Sequence, residues 1–180
     1  GKKALVCMNV RASSSVNGEI TLSAKSFNTD VNHEIAPVYQ TVTVRKGDNL
    51  FEMELPMGQD FLIWDEFSPA LYRLTATLKN GKQIETKQIQ FGMREFTING
   101  KWFYINGRKT MLRGTVENCD FPLTGYAPMD VASWERVFRI CRSYGLNHMR
   151  FHSYCPPEAA FIAADLVGFY LQPEGPSWPN

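Results

Sequence analysis

The sequence predicts a mixed β and α/β chain, an immunoglobulin-like β-sandwich followed by alternating strands and helices. Three observations carry that prediction. Residues 1–93 hold short strand-like runs separated by turn signals. Two Asn-Gly pairs in quick succession, Asn99-Gly100 and Asn106-Gly107, mark consecutive tight hairpins. From Asp130 onward the apolar period turns helical, and helix and strand segments then alternate with short connections, the grammar of parallel α/β.

Taken in order, Ala4 to Val10, Gly18 to Phe27, Val38 to Val44, Asn49 to Leu55 and Leu71 to Leu78 read as strands. Turns are expected at Asn17-Gly18, at Arg45-Lys46-Gly47-Asp48 and at Pro56-Met57-Gly58. Asn80-Gly81 reads as a type I′ hairpin turn, because that dipeptide tolerates two positive φ angles. Strands at this spacing suit a sandwich of about 100 residues. In the second half, Phe96 to Ile98, Trp102 to Ile105 and Thr110 to Leu112 form a meander. Asp130 is a plausible N-cap. Trp134, Val137, Phe138, Cys141 and Tyr144 fall on one helical face and read as core, and Gly145 follows as the residue that ends the helix. Leu146 to Phe151 reads as a strand. Pro156-Pro157 opens a second helix that Gly168 ends, and Phe169 to Leu171 is the next strand. The boundary falls at 93/94, with 1–93 as the sandwich domain and 94–180 as a second domain.

Composition narrows the function classes. The chain has 180 residues, 44% hydrophobic and 21% charged, and a net charge of +1, so no strong field draws it to nucleic acid or an anionic membrane. No apolar run approaches the roughly 20 residues of a membrane span, and Gly1 to Val10 does not read as a signal peptide. The four cysteines form no C-x-x-C pair, and Cys7 and Cys141 sit in apolar patterns that read as buried free thiols. No metal or other cofactor is expected.

Trp64-Asp65-Glu66-Phe67-Ser68-Pro69-Ala70-Leu71-Tyr72 is the first of five segments with a family likeness, and it resembles the Trp/Pro/Leu-Tyr segment in the sandwich domain of glycoside hydrolase family 2. Phe91-Gly92-Met93-Arg94 is similar to its Gly-Phe-Arg sequence leading from sandwich to barrel. Ile105 to Gly114 is similar to its Asn-Gly-Lys-Pro…Arg-Gly hairpin, Gly145-Leu146-Asn147-His148-Met149-Arg150 to its Gly-x-Asn-x-Val-Arg strand, and Ala164 to Leu171 to its Cys-Asp-x-x-Gly-Leu-x-Val segment. The resemblance covers roughly residues 60–175. It implies that residues 94–180 are the N-terminal part of a (β/α)8 barrel. It also implies that the parent is a retaining exo-β-glycosidase, β-galactosidase-like, acting in carbohydrate metabolism. Such enzymes use two Glu residues about 5 Å apart, and the family carries both on later barrel strands. No residue of this chain is therefore expected to be catalytic, and the fragment alone is expected to be inactive.

The same resemblance implies pocket residues at the C-terminal ends of early strands. Arg113 and Arg150 stand at family Arg positions and read first as structural guanidinium forks; Arg150 is also carried as a sugar contact. His152, Asn118, Glu174 and Trp178 complete the expected substrate-binding set. Three departures from the family pattern bear on specificity. His152 lies one place early relative to Arg-x-Ser-His-Tyr-Pro. Asn118 stands where many β-galactosidases carry His. Trp178 and Asn180 occupy the places of a Glu and a His that magnesium-dependent members use, so no metal site is expected. The alternative reading is a non-catalytic carbohydrate-binding or structural module. A β-glycoside is the expected partner of the parent, with no nucleic acid and no membrane, and a periplasmic or secreted location is favoured. A barrel cut short would expose apolar edges at Leu146 to Phe151 and Phe169 to Leu171, so self-association is expected.

Overall fold

Strict side-chain alternation decides which face of each long strand is buried. Along β1 (Lys3–Ala12), Ala4, Val6, Met8 and Val10 point inward, whereas Lys3, Leu5, Cys7, Asn9 and Arg11 are exposed. The computed structural model describes residues 2–176. By its internal contacts the chain forms two units, Gly1–Leu62 with Leu71–Met93, and Ile63–Ala70 with Arg94–Asn180. The segment Ile63–Ala70 thus lies inside the stretch read as sandwich but makes its contacts within the second unit.

In the first unit β1 pairs antiparallel with β4 (Gly47–Pro56), from Lys3↔Pro56 to Ala12↔Gly47 without a break. A second sheet runs in the order β3 (Glu34–Val44), β2 (Val16–Phe27), β5 (Leu71–Asn80), β6 (Gln83–Phe91). Both sheets feed one core: Val6, Met53 and Leu55 come from the first, and Ile20, Leu22, Val44, Tyr72 and Leu74 from the second. The buried Tyr72 hydroxyl accepts the Leu62 N–H at 2.8 Å and meets His33 Nδ1 at 2.7 Å.

Several expectations need correction here. Cys7 is exposed, because the period of two that buries Val6 and Met8 turns the residue between them outward, and Cys141 is only half-buried. Asn17-Gly18 is not a turn but lies inside β2, paired with Thr43 and Val42. A Cβ on Gly18 would stand 2.8 Å from the Lys79 carbonyl, so glycine serves close strand approach there. The β5–β6 loop is shifted by one residue. Asn80 pairs with Gln83, and Gly81 alone takes a positive φ of 57°, the glycine-first kind of hairpin turn.

The second unit opens with an antiparallel meander, β7 (Phe96–Asn99), β8 (Trp102–Ile105) and β9 (Arg108–Thr110). Only its second turn has both central residues at positive φ, Asn106 at 51° and Gly107 at 75°. Three parallel strands follow: β10 (Gly114–Glu117), β11 (His148–Phe151) and β12 (Tyr170–Pro173). Helices α1 (Val131–Ser143) and α2 (Glu158–Val167) connect them in turn. The third meander strand is therefore Arg108–Thr110 and not Thr110 to Leu112, and the first parallel strand is Gly114–Glu117. Asp130 caps α1, accepting the Ser133 amide at 2.8 Å and the Ser133 hydroxyl at 2.8 Å. Trp134 and Phe138 stack against the sheet with Met149, Phe151 and Phe169. Tyr144, expected on this face, is 81% exposed because it is the C-cap residue, where the chain leaves the helix. No described helix is long and apolar enough to cross a membrane.

Leu146 to Phe151 is not an exposed edge. Its strand β11 lies between β10 and β12, and Met149, Phe151, Phe169 and Tyr170 are buried. The strand that holds Tyr170 and Leu171, β12, does stand at the edge of this three-stranded sheet.

Asn147, 1% exposed, fixes this arrangement. Its Oδ1 accepts the Arg113 amide at 2.8 Å, its Nδ2 donates to the Met111 carbonyl at 3.0 Å, and its own amide donates to the Arg113 carbonyl at 2.9 Å. Asn147→Ala removes the two side-chain bonds and should cost about 1–3 kcal/mol for each buried group left unpaired. Urea unfolding measures this; a midpoint equal to that of the parent sequence would show the amide to be dispensable.

Candidate functional site

Parallel pairing brings the strand ends level. Phe151 pairs with Glu117 on one side and with Pro173 on the other, and the three close their strands together. The next residue on each strand is Asn118, His152 or Glu174, so three of the expected contact residues leave the sheet side by side. Alternation divides the faces. Met149 and Phe151 point to the helices, whereas Val116, Arg150 and Gln172 share one row on the opposite, open face.

Hydrogen bonds tie these residues into two pairs. His152 Nδ1 lies 3.1 Å from Asn118 Oδ1. An amide oxygen only accepts, so Nδ1 is the donor in this contact. Arg150 Nε donates to Glu174 Oε1 at 2.5 Å, and the Ser153 amide donates to Glu174 Oε2 at 2.8 Å. The Arg150 guanidinium, then the Ser153 amide, hold the Glu174 carboxyl below the usual carboxylate range. A general acid needs the opposite shift, so Glu174 is an acceptor and an anchor. Farther down the same face, burial lowers the His148 imidazole against an opposing bond from Gln172.

Arg113 sits elsewhere, just before β10 and so at the opposite end of the strands. Its Nη2 donates to Glu66 Oε2 at 3.1 Å, its Nε to the Gly145 carbonyl at 2.8 Å and its Nη1 to the Met111 carbonyl at 3.3 Å. Glu66 is only 6% exposed, and its neighbour Trp64 donates from Nε1 to the Asp165 carbonyl at 2.8 Å. Burial, then the Glu66 charge, push the Tyr170 hydroxyl up to about 12. Trp178 lies outside the described residues. Among those described, no group of three or more His, Cys, Asp or Glu side chains could hold a metal ion.

Sequence reasoning missed two groups. The Ser153 amide reaches Glu174 only because Ser153 adopts φ 62°, which no serine advertises. Glu117 was not singled out because its strand, Gly-Thr-Val-Glu, carries a single large apolar residue and no alternation to announce it.

The sequence profile described as Glycosyl hydrolases family 2 matches residues 1–94. A β-galactosidase of Thermoanaerobacterium thermosulfurigenes is 30% identical over 131 residues, covering 72% of this chain and 18% of that protein. A putative β-glucuronidase of Formosa agariphila is 31% identical over 117 residues, 63% of this chain and 14% of that protein. The chain therefore spans less than a fifth of these relatives. Among solved structures, Bacteroides uniformis β-glucuronidase superposes with a TM-score of 0.81 at 21% identity, over 97% of this chain and 21% of its own. A β-galacturonidase from Eisenbergiella tayi gives 0.72 at 22% identity, over 94% and 28%. These likenesses concern the fold. The profile match covers more than half of the chain, and on that ground the chain belongs to glycosyl hydrolases family 2.

Proposed function

We propose that this chain is a portion of a retaining exo-β-glycosidase, with residues 1–93 as an immunoglobulin-like sandwich and 94–180 as the first strands and helices of a (β/α)8 barrel. The observation that carries the proposal is the level exit of Asn118, His152 and Glu174 from three parallel strands. In barrel enzymes the site lies at that end. The relatives named β-galactosidase and putative β-glucuronidase support a β-glycoside as substrate.

In this reading Asn118, His152 and Arg150 form one wall of a sugar pocket, Glu174 fixes Arg150, and Trp178 adds an aromatic face. An amide and an imidazole offer a donor and an acceptor within one hydroxyl's reach of each other, the pattern that vicinal hydroxyls require. Glycoside cleavage takes a proton donor and a nucleophile flanking the bond. Both Glu174 oxygens are engaged, by Arg150 and by the Ser153 amide, and in this reading both catalytic carboxylates stand on later barrel strands.

The full-length protein should hydrolyse an aryl β-galactoside, β-glucuronide or β-mannoside with retained configuration at the anomeric carbon, and residues 1–180 alone should hydrolyse none. His152→Ala in the full-length protein should lower kcat/KM about five-fold, the worth of one neutral hydrogen bond. Turnover by residues 1–180 after a contaminant control, or none by the full-length protein on all three, contradicts the proposal.

Glu174 also sets a pH dependence. Its folded carboxyl titrates below the unfolded value, so the unfolded chain takes up the proton first as pH falls. Its contribution to stability is complete above the ordinary Glu range, near ~4.3, and is lost as pH falls through the lowered folded value. Glu174→Gln should flatten that acid limb in urea midpoints measured against pH. A limb of unchanged steepness would assign the acid sensitivity to other groups.

A further inference from the structure

We infer that Glu117 is a positioning residue, whose carboxylate fastens the turn after β10 and so sets Asn118 against His152. The inference rests on the proposed sugar site for its purpose, but its geometry stands independently.

The turn after β10 is strained. Cys119 adopts φ 59°, the left-handed region, although it carries a side chain. A single such residue costs about 1–2 kcal/mol. The Glu117 carboxylate offsets that cost: its Oε1 accepts the Cys119 amide at 3.0 Å. Burial pushes the Glu117 carboxyl up, and the bond from the Cys119 amide opposes that shift.

The neighbouring strand repeats the device. Ser153, one residue beyond His152, adopts φ 62°, and its amide is held by Glu174 Oε2 at 2.8 Å. Asn118 and His152 each stand immediately before a left-handed residue whose amide is captured by a carboxylate. The two side chains then meet at 3.1 Å. Strained backbone of this kind persists only where its surroundings impose it, and it gathers at functional sites.

Glu117 acts through Asn118. It shares a pairing row with Phe151, which is fully buried among the helices, so it leaves β10 on the helix-facing side. Its Oε2 is buried there without a hydrogen-bond partner, so the Cys119 bond is made by Oε1 alone. Asn118 leaves on the opposite side, where the row of Arg150 lies. The carboxylate therefore orients the amide, and the amide selects the His152 tautomer with its proton on Nδ1.

The experiment reads that tautomer directly. In the 180-residue chain labelled with ¹⁵N-histidine, His152 is identified among the three histidines by His152→Gln. The parent sequence should show neutral His152 protonated on Nδ1. Glu117→Ala should abolish that signature and give the Nε2-protonated form, with the backbone amide spectrum elsewhere unchanged. Glu117→Gln keeps an oxygen for the Cys119 amide and should keep the signature. Adding Cys119→Gly to Glu117→Ala removes the strain and should restore it. If Glu117→Ala does not fold, Glu117→Asp replaces it, since the carboxylate withdrawn by one methylene should also lose the signature. A folded Ala or Asp variant that retains Nδ1 protonation, or a folded Gln variant that loses it, overturns the inference. The glycosidase assay succeeds or fails independently of this outcome.

Discussion

Asn147 joins three strands of the parallel sheet. Its side chain and amide bond the main chain of Met111 and Arg113, and its carbonyl accepts the Tyr170 amide at 2.8 Å. The bonds to Arg113 lie one residue before β10, and the bond to Tyr170 lies at the start of β12. They therefore set the register of both neighbours against β11 at the end opposite the candidate site. Because side chains alternate with a period of two, a slip of one residue would turn Arg150 toward the helices and Met149 to the open face. Asn118 would then no longer face His152. A polar group buried this deeply is tolerated because each of its hydrogen-bonding groups finds a partner.

The two arginines named from sequence divide the electrostatic work between the two ends of the strands. Arg113 neutralises Glu66, a carboxylate almost wholly removed from water, so losing the guanidinium would strand a buried charge. Arg150 and Glu174 are both partly exposed, and solvent screens their attraction, so the pair contributes geometry more than stability. Its geometric effect is to occupy one Glu174 oxygen while Ser153 occupies the other, which fixes the loop that carries His152.

Much of the fold was legible in the residues. Helix α1 was legible because Asp130 and the Trp134/Phe138 stripe give its start and its buried face. The hairpins were legible in kind but not in register, since Asn-Gly occurs at Asn80, Asn99 and Asn106 and adopts the two-residue loop only at the last. There the Asn106 carboxamide accepts the Glu95 amide and donates to the Trp64 carbonyl, partners remote in sequence. Strand β10 was hidden because a four-residue strand with one large apolar side chain has no pattern. Asn118, His152, Arg150 and Glu174 were named through family resemblance, and the structure brings them together. The left-handed turns at Cys119 and Ser153 were not legible, because neither residue type favours that conformation and the amide contacts that impose it involve main-chain groups.

The placement of Ile63–Ala70 bears on how the gene can be divided. Trp64, Glu66 and the Trp64 carbonyl are spent on Asp165, Arg113 and Asn106, all encoded well downstream. A cut at codon 93 would hand those three bonds' upstream halves to the wrong fragment. The downstream piece would lose its buried indole, and the upstream piece would carry an orphaned tryptophan and glutamate. Recombination between relatives should respect this inheritance, exchanging 63–70 together with 94 onward even though two strands, β5 and β6, separate them in the message.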